Sequence, residues 1–227
     1  MKRAIAITTS LLVVSVAVLS PAQAGDKAKP KGVIARAMRS VVSGCKATTA
    51  TSRPATKFSI PSYKAPADQV TFTFKTNCGD IVVQADGKNA PLTVFIFAVM
   101  ASAGYFDKTL CHRLTTAGLY VLQCGDPTAT GRGGPNFTFR DENLPAATAN
   151  NYPAGTVAMA NSGPDTNGSQ FFLVYSDTTL GPSYTRWGKI TKGLDILKAI
   201  AAAGNIVVGN NKEYPRQTVA IESVSVK

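Results

Sequence analysis

Nine consecutive turn-forming residues lie between two short apolar runs, and this arrangement constrains the fold more than any other stretch. Thr156-Val157-Ala158-Met159 and Gln170-Phe171-Phe172-Leu173-Val174 are rich in β-formers and read as strands. Between them, Asn161-Ser162-Gly163-Pro164-Asp165-Thr166-Asn167-Gly168-Ser169 is turn chemistry throughout. A tight hairpin needs far fewer residues. A loop of this length between buried strands is expected to be ordered and to present backbone donors and acceptors outward. Alternation sends Phe171 and Phe172 to opposite faces of the second strand, Phe171 into the core.

The 227 residues suffice for one domain with a real core plus flanking segments. The first of these, residues 1–24, reads as a secretory signal peptide: Lys2 and Arg3, an uncharged apolar run from Ala4 to Leu19, and the small-x-small site Ala22-Gln23-Ala24. The run is short for a membrane span. Residues 25–66 form a basic Pro/Thr/Ala-rich tail and linker, expected to be largely disordered, with nine Lys or Arg against Asp26 alone, net +8. VIARAMRSVV, Val33 to Val42, has the spacing of a short helix. Residues 67–227 carry thirteen basic and twelve acidic side chains, so the formal +11 of the whole chain belongs mostly to the tail. A basic tail on a near-neutral domain points to an anionic cell-envelope polymer or lipid headgroups as partner. Nucleic acid is a poor partner for an exported chain. Secretion or cell-envelope attachment is the expected location, and a monomer the expected state.

Cys45, Cys78, Cys111 and Cys124 are even in number, which in an exported protein points to disulfides. Wide spacings and a single histidine give no zinc pattern, and no cofactor is implied. Three pairings are open. Cys111 with Cys124, leaving Cys45 with Cys78, is favoured because the first two belong to adjacent strands. Strand parity opposes it: if Arg113 and Gln123 share a face, Cys111 joins them and Cys124 does not, unless a bulge intervenes.

The remaining elements alternate or repeat legibly. VTFTFK ahead of the turn Asn77-Cys78-Gly79-Asp80 is a half-buried strand, and Ile81 to Gln84 returns from it. APLTVFIFAVMASA, Ala90 to Ala103, is a helix with Pro91 in its first turn and apolar residues on nearly every face. A second helix begins at Gly193, and Val219 to Val226 alternates as the last strand. No Ser-His-Asp order and no paired carboxylates suited to glycoside hydrolysis are present. One arginine, several amides and a set of aromatic and apolar side chains suit a reaction that breaks no bond.

The fourteen residues MANSGPDTNGSQFF, Met159 to Phe172, closely resemble the MAN-x-GP-x-TNGSQFF signature of cyclophilins, the peptidyl-prolyl isomerases. Gly104-Tyr105-Phe106-Asp107 resembles that family's GYFD turn. Cys111-His112-Arg113-Leu114 with Tyr120-Val121-Leu122-Gln123-Cys124-Gly125-Asp126 resembles its F-H-R-V…F-M-x-Q-G-G-D block. Gly131-Arg132-Gly133-Gly134 with Phe137-Thr138-Phe139, and Leu180 to Ile190, resemble two further blocks, so the likeness spans the whole of 67–227. It implies a mainly β fold, an eight-stranded antiparallel barrel capped by two α-helices.

It also implies roles. Arg113 matches the catalytic arginine and Gln123 the glutamine that orients it. Tyr120, Val121, Phe172, Leu180 and Tyr184 match the proline pocket, and the Asn161 backbone would pair with substrate like an added strand. Ala160, Ser162, Thr166, Asn167 and Gln170 match the neighbouring groove. His112, a candidate substrate contact beside Arg113, is more at home as a structural histidine. Cys111 and Val121 depart from the family's usual Phe and Met, and Tyr184 replaces a His. The segment Thr115–Leu119 is longer than usual, which bears on the placement of Tyr120 and Val121. Thr179 falls near a family Trp important for cyclosporin, so weak cyclosporin binding is expected. Proline-containing peptides and folding exported proteins are the implied partners, and isomerisation assisting their folding the implied activity. A cell-surface module that holds peptides without turnover is the competing reading, and the intact Arg113 and Gln123 favour the enzyme.

Overall fold

The computed structural model describes residues 41–209 and 211–227. The leader, residues 25–40 of the basic tail and all but the last two residues of the helix expected over Val33–Val42 lie outside the described residues.

Strands β1 (Gln69–Thr76) and β2 (Gly79–Asp86) form the first hairpin, with Phe72 opposite Val83 and Phe74 opposite Ile81. Val70, Phe72 and Phe74 are buried while the residues between them are not, which is the period-2 pattern of a half-buried strand. Helix α1 (Pro91–Ser102) follows. It begins at Pro91, whose missing N–H costs nothing at that position. Ala90 supplies no side-chain cap, so the first-turn donors are met from fifty residues away. Glu142 accepts from Leu92 N at 3.1 Å, Thr93 N at 2.9 Å and Thr93 Oγ1 at 2.9 Å.

The barrel continues with β3 (Thr109–Leu110), β4 (Arg113–Leu114), β5 (Val121–Cys124), β6 (Thr156–Met159), β7 (Phe171–Val174) and β8 (Arg186–Lys192). Helix α2 (Leu194–Ala202), the hairpin β9 (Asn205–Val208) with β10 (Lys212–Pro215), and β11 (Ala220–Val226) complete the chain. Every pairing is antiparallel, in the order β3-β11-β1-β2-β8-β6-β7-β5-β4. The two ends of that order are one piece of chain. Between them, Cys111 N donates to Val219 O and His112 N to Gln123 O, so the segment pairs with β11 in its first half and β5 in its second. Counted once, it makes the eighth strand and returns the sheet on itself.

The core holds a ring cluster with Phe97 of α1 at its centre, 4.6 Å from Trp187, 5.2 Å from Phe106 and 5.6 Å from Phe171 between centroids. The contacts are tilted to Trp187, stacked on Phe106 and edge-on to Phe171. An apolar helix on every face is what such a position inside the sheet requires.

The disulfides are Cys45–Cys78 and Cys111–Cys124. The parity objection fails because the strand is broken between Leu110 and Arg113. Arg113 faces outward in the ladder to Gln123, while Cys111, two residues earlier, has turned into the core with Cys124.

Residues 41–66 hold no helix or strand, but the linker expected there is laid against the barrel as a strap. Lys46 N donates to Asn77 O at 2.7 Å, Arg53 N to Pro127 O at 2.8 Å, and Arg53 Nη2 to Tyr105 O at 2.6 Å. Phe58 N donates to Asn136 Oδ1, its ring meets Tyr105 edge-on, and Tyr63 meets Phe95 likewise. Disorder is therefore not the state of this part of the tail: burial of Ala50, packing of the half-buried Phe58 and the tie at Cys45 offset the ordering entropy.

Candidate functional site

The site is built on the outer face of β4, β5, β7 and β6. Along β5, Leu122 and Cys124 point into the core, which leaves Val121 and Gln123 outside. Along β7, Phe171 and Leu173 go in and Phe172 and Val174 out, as alternation requires. Arg113 stands opposite Gln123, and Gln123 opposite Phe172, so three ladder positions place the arginine, the amide and the pocket aromatic side by side.

The apolar part is a cluster separate from the core. Val121, Tyr152, Ala158, Phe172 and Val174 are buried in it, with Leu119, Ala160, Leu180 and Tyr184 packed at its edge. The Phe172 ring lies 5.6 Å from Tyr184 and 6.0 Å from Tyr152. Tyr152 fixes its neighbour: its hydroxyl accepts from Tyr184 N at 3.1 Å and lies 3.2 Å from Tyr184 O.

The polar part is a chain of amides. Gln123 Nε2 donates to Gln170 Oε1 at 2.9 Å, and Gln170 Nε2 donates to Gly133 O at 2.7 Å. Beyond them opens a cavity of about 240 Å³, lined by Gln123, Gln170, the Gly131–Pro135 loop and Ala160–Ser162, with Thr166 on its wall. The long loop is held from within: Thr166 Oγ1 donates to Gly163 O and accepts from Ser162 N, while Asn161 Nδ2 donates to Ser183 O.

Asp126 builds the opposite wall. Its carboxylate accepts four backbone N–H groups, from Thr128, Thr130, Gly131 and Gly133, at 2.7–3.1 Å. A side chain at Gly133 would meet Asp126 Oδ1 at 2.0 Å, so only glycine admits this wrap. Burial alone would raise the Asp126 carboxyl. The Thr128 hydroxyl and the N–H groups of Gly133 and Thr128 outweigh burial, and the carboxyl is held below its ordinary value. Such a group adds stability above its unfolded pKa and loses it as pH falls through the folded one. Asp126→Ala, which leaves four N–H groups without their acceptor, is expected to cost on the order of 3 kcal/mol in denaturant unfolding at neutral pH. The gap from the unmodified protein should shrink as pH drops below about 4, where Asp126 takes up a proton in the unfolded chain but not yet in the folded one. A constant gap down to pH 2 would contradict the role of the charge.

Most matched positions meet here: Gln123, Ala160, Asn161, Ser162, Thr166 and Gln170 line the cavity, Val121, Phe172, Leu180 and Tyr184 join Ala160 in the apolar cluster, and Arg113 stands beside Gln123. Three do not. Tyr120 turns away, its ring 5.9 Å from Tyr175 in a cleft shared with Lys198 and Ala201, and Leu119 takes its place at the pocket. The longer turn before β5 shifts the residue that reaches the pocket by one. Asn167, fully buried, clamps the loop from behind by donating to Arg140 O and Asp141 Oδ1, its backbone bridged to Phe139. His112 packs under the Gly131 loop rather than in the groove. Burial lowers its pKa despite the pull of Asp126, so it is neutral at neutral pH. Tyr152 and Ala158 are pocket residues the sequence left unmarked. Alternation around Val157 would have found Ala158, whereas nothing local singles out Tyr152. Among the described residues no group of three His, Cys, Asp or Glu could hold a metal ion.

The family described as "Cyclophilin type peptidyl-prolyl cis-trans isomerase/CLD" matches residues 71–226. A probable peptidyl-prolyl cis-trans isomerase B of Mycobacterium leprae is 45% identical over 174 residues, covering 71% of this chain and 59% of its own length. Its counterpart in Mycobacterium tuberculosis is 44% identical, covering 71% and 56%. The chain thus spans under three fifths of the length of these curated relatives. A peptidyl-prolyl cis-trans isomerase-like 3 of Dictyostelium discoideum is 35% identical, covering 69% of this chain and 95% of its own. Among solved structures, a Cryptosporidium parvum cyclophilin superposes with TM-score 0.60 at 27% identity, over 70% of this chain and 98% of its own. The same protein in the presence of the dipeptide ala-pro gives 0.59. Groove, barrel and sequence agree: this chain belongs to the cyclophilin-type peptidyl-prolyl cis-trans isomerase family.

Proposed function

We propose that the protein is a peptidyl-prolyl cis-trans isomerase acting on X-Pro bonds of exported proteins and so assisting their folding. The observation that carries this reading is the ladder Arg113–Gln123–Phe172, which sets the arginine next to an outward-facing apolar cluster. The planar amide resists rotation by about 18–20 kcal/mol because twisting destroys its resonance. In the twisted state the imide nitrogen becomes pyramidal and gains a lone pair. Arg113 donates to that lone pair or to the adjoining carbonyl oxygen, and so binds the twisted form better than the planar one. Val121, Phe172 and Leu180, with Leu119 and Tyr184 at the rim, hold the ring. Gln123, anchored through Gln170 to the Gly133 loop, orients the substrate carbonyl. No proton moves and no bond breaks.

Export is supported by the leader-like residues 1–24 and by the pairing of all four cysteines, which suits an oxidising compartment. The basic residues before the strap suit an anionic cell-envelope polymer. A single peptide groove is sufficient for a monomer. Thr179, whose hydroxyl accepts from Asn150 N, presents no indole to a macrocycle, and weak cyclosporin binding follows.

The test is exchange of an Ala-Pro peptide by the full chain, followed with and without cyclosporin. Acceleration over the uncatalysed exchange of tens to hundreds of seconds, inhibited only weakly, is the expected result. A folded protein that binds the peptide without accelerating exchange would replace this reading with that of a peptide-holding module.

A further inference from the structure

The hairpin β9–β10 has no place in the groove described so far, yet its inner face meets the arginine. Glu213 lies in β10 opposite Val207, and Pro215 opposite Asn205, which puts Asn205, Val207, Glu213 and Pro215 on one side of the hairpin. From that side Glu213 Oε2 reaches Arg113 Nη2 at 3.5 Å. The other carboxylate oxygen is held separately: Asn205 Nδ2 lies 3.3 Å from Glu213 Oε1. The same amide donates to Leu114 O, in the strand that carries Arg113, at 3.0 Å. The base of the hairpin is closed by Arg216 N donating to Gly204 O. One asparagine therefore fixes the hairpin to the catalytic strand and aims the carboxylate.

Across the ladder, Gln123 Nε2 donates to Gln170 Oε1, while the guanidinium's ion pair is with Glu213. Arg113 is 42% exposed on a long, rotamer-rich side chain, and an electrostatic catalyst is effective only where it is already placed. A carboxylate touching one terminal nitrogen leaves the rest of the guanidinium fork free to donate.

We propose that Glu213 is a positioning residue for Arg113, holding its guanidinium over the groove ahead of the twisted amide. This rests on the isomerase reading above. The hairpin is then a part of the active site, acting through the arginine and touching no substrate atom.

The experiment compares kcat and KM for an Ala-Pro peptide among the full-length protein, Glu213→Gln, Arg113→Ala and the double variant, at low salt and at about 0.5 M salt, where exposed pairs are screened. Glu213→Gln, which keeps shape and removes charge, is expected to lower kcat by about 5–30-fold with KM within about twofold. The unmodified protein should lose turnover at high salt, and Glu213→Gln should not. In the Arg113→Ala background the second substitution should change nothing, because the partner it acts through is gone. Turnover by Glu213→Gln at the unmodified rate overturns the proposal. So does an equal loss in the Arg113→Ala background, which would make the hairpin a general support of the fold. Absence of turnover in the unmodified protein is read before any variant and removes the isomerase reading along with this one.

Discussion

Alanine at Arg113 is expected to lower kcat/KM for an Ala-Pro peptide by about 10²–10³-fold, the usual cost of removing one preorganised donor from a developing charge. The fold should not notice. Arg113 is 42% exposed and its ion pair with Glu213 is a surface one, worth between nothing and about 1 kcal/mol once solvent screens it. A thermal melt within a few degrees of the unmodified protein is thus part of the prediction. Arg113→Lys should recover little, because an ammonium on a flexible stem does not reproduce a planar fork of donors. The decisive comparison is kcat rather than KM, since the apolar pocket of Val121, Phe172 and Leu180 remains to bind the proline ring. A variant within tenfold of the original would show that the pocket alone catalyses, by holding the ring while the rest of the chain turns.

Removing the Cys111–Cys124 bridge should lower stability and turnover together. It closes a loop of 13 residues, for which chain entropy gives about 3 kcal/mol. In a domain of this size that corresponds to a fall in melting temperature of roughly 6–12 °C, checked by calorimetry on the Cys111→Ser, Cys124→Ser double variant. The bridge also flanks the Arg113–Gln123 pair: Cys111 is two residues before Arg113, and Cys124 is next to Gln123. Loss of turnover well below the new melting temperature is expected alongside the loss of stability, because β4 is only two residues long and has little else to hold its register. A variant melting at the original temperature would show that the β4–β5 ladder and the core around Leu114 and Leu122 hold the strands unaided.

Much of the groove could be read from the chain because strands transmit pattern locally. Alternation puts Phe171 and Phe172 on opposite faces, and the motif that marks Phe172, like those that mark Arg113 and Gln123, says which face is the groove. The failures share a cause as well. Tyr120 against Leu119 depends on the length of one turn, and a one-residue shift exchanges the faces. Tyr152 enters the pocket from a bridge to Thr178, a long-range contact with no sequence signature. The strap over 41–66 has linker composition, and what orders it is supplied by other parts of the chain: a cysteine at 78, the Tyr105 carbonyl, the Asn136 amide. The hairpin of Asn205 to Pro215 was not read from the sequence, and the partner of Glu213 lies a hundred residues earlier.

The bond from Cys45 to Cys78 encloses the strap, β1 and the turn after it. A protease that cuts the exposed Thr51–Ser52 or Lys64–Ala65 region would therefore separate nothing in an oxidising medium. The basic segment before residue 41 would stay covalently joined to the barrel through the sulfurs. Nicking alone would not free the barrel from that segment, and release would require reduction as well as cleavage.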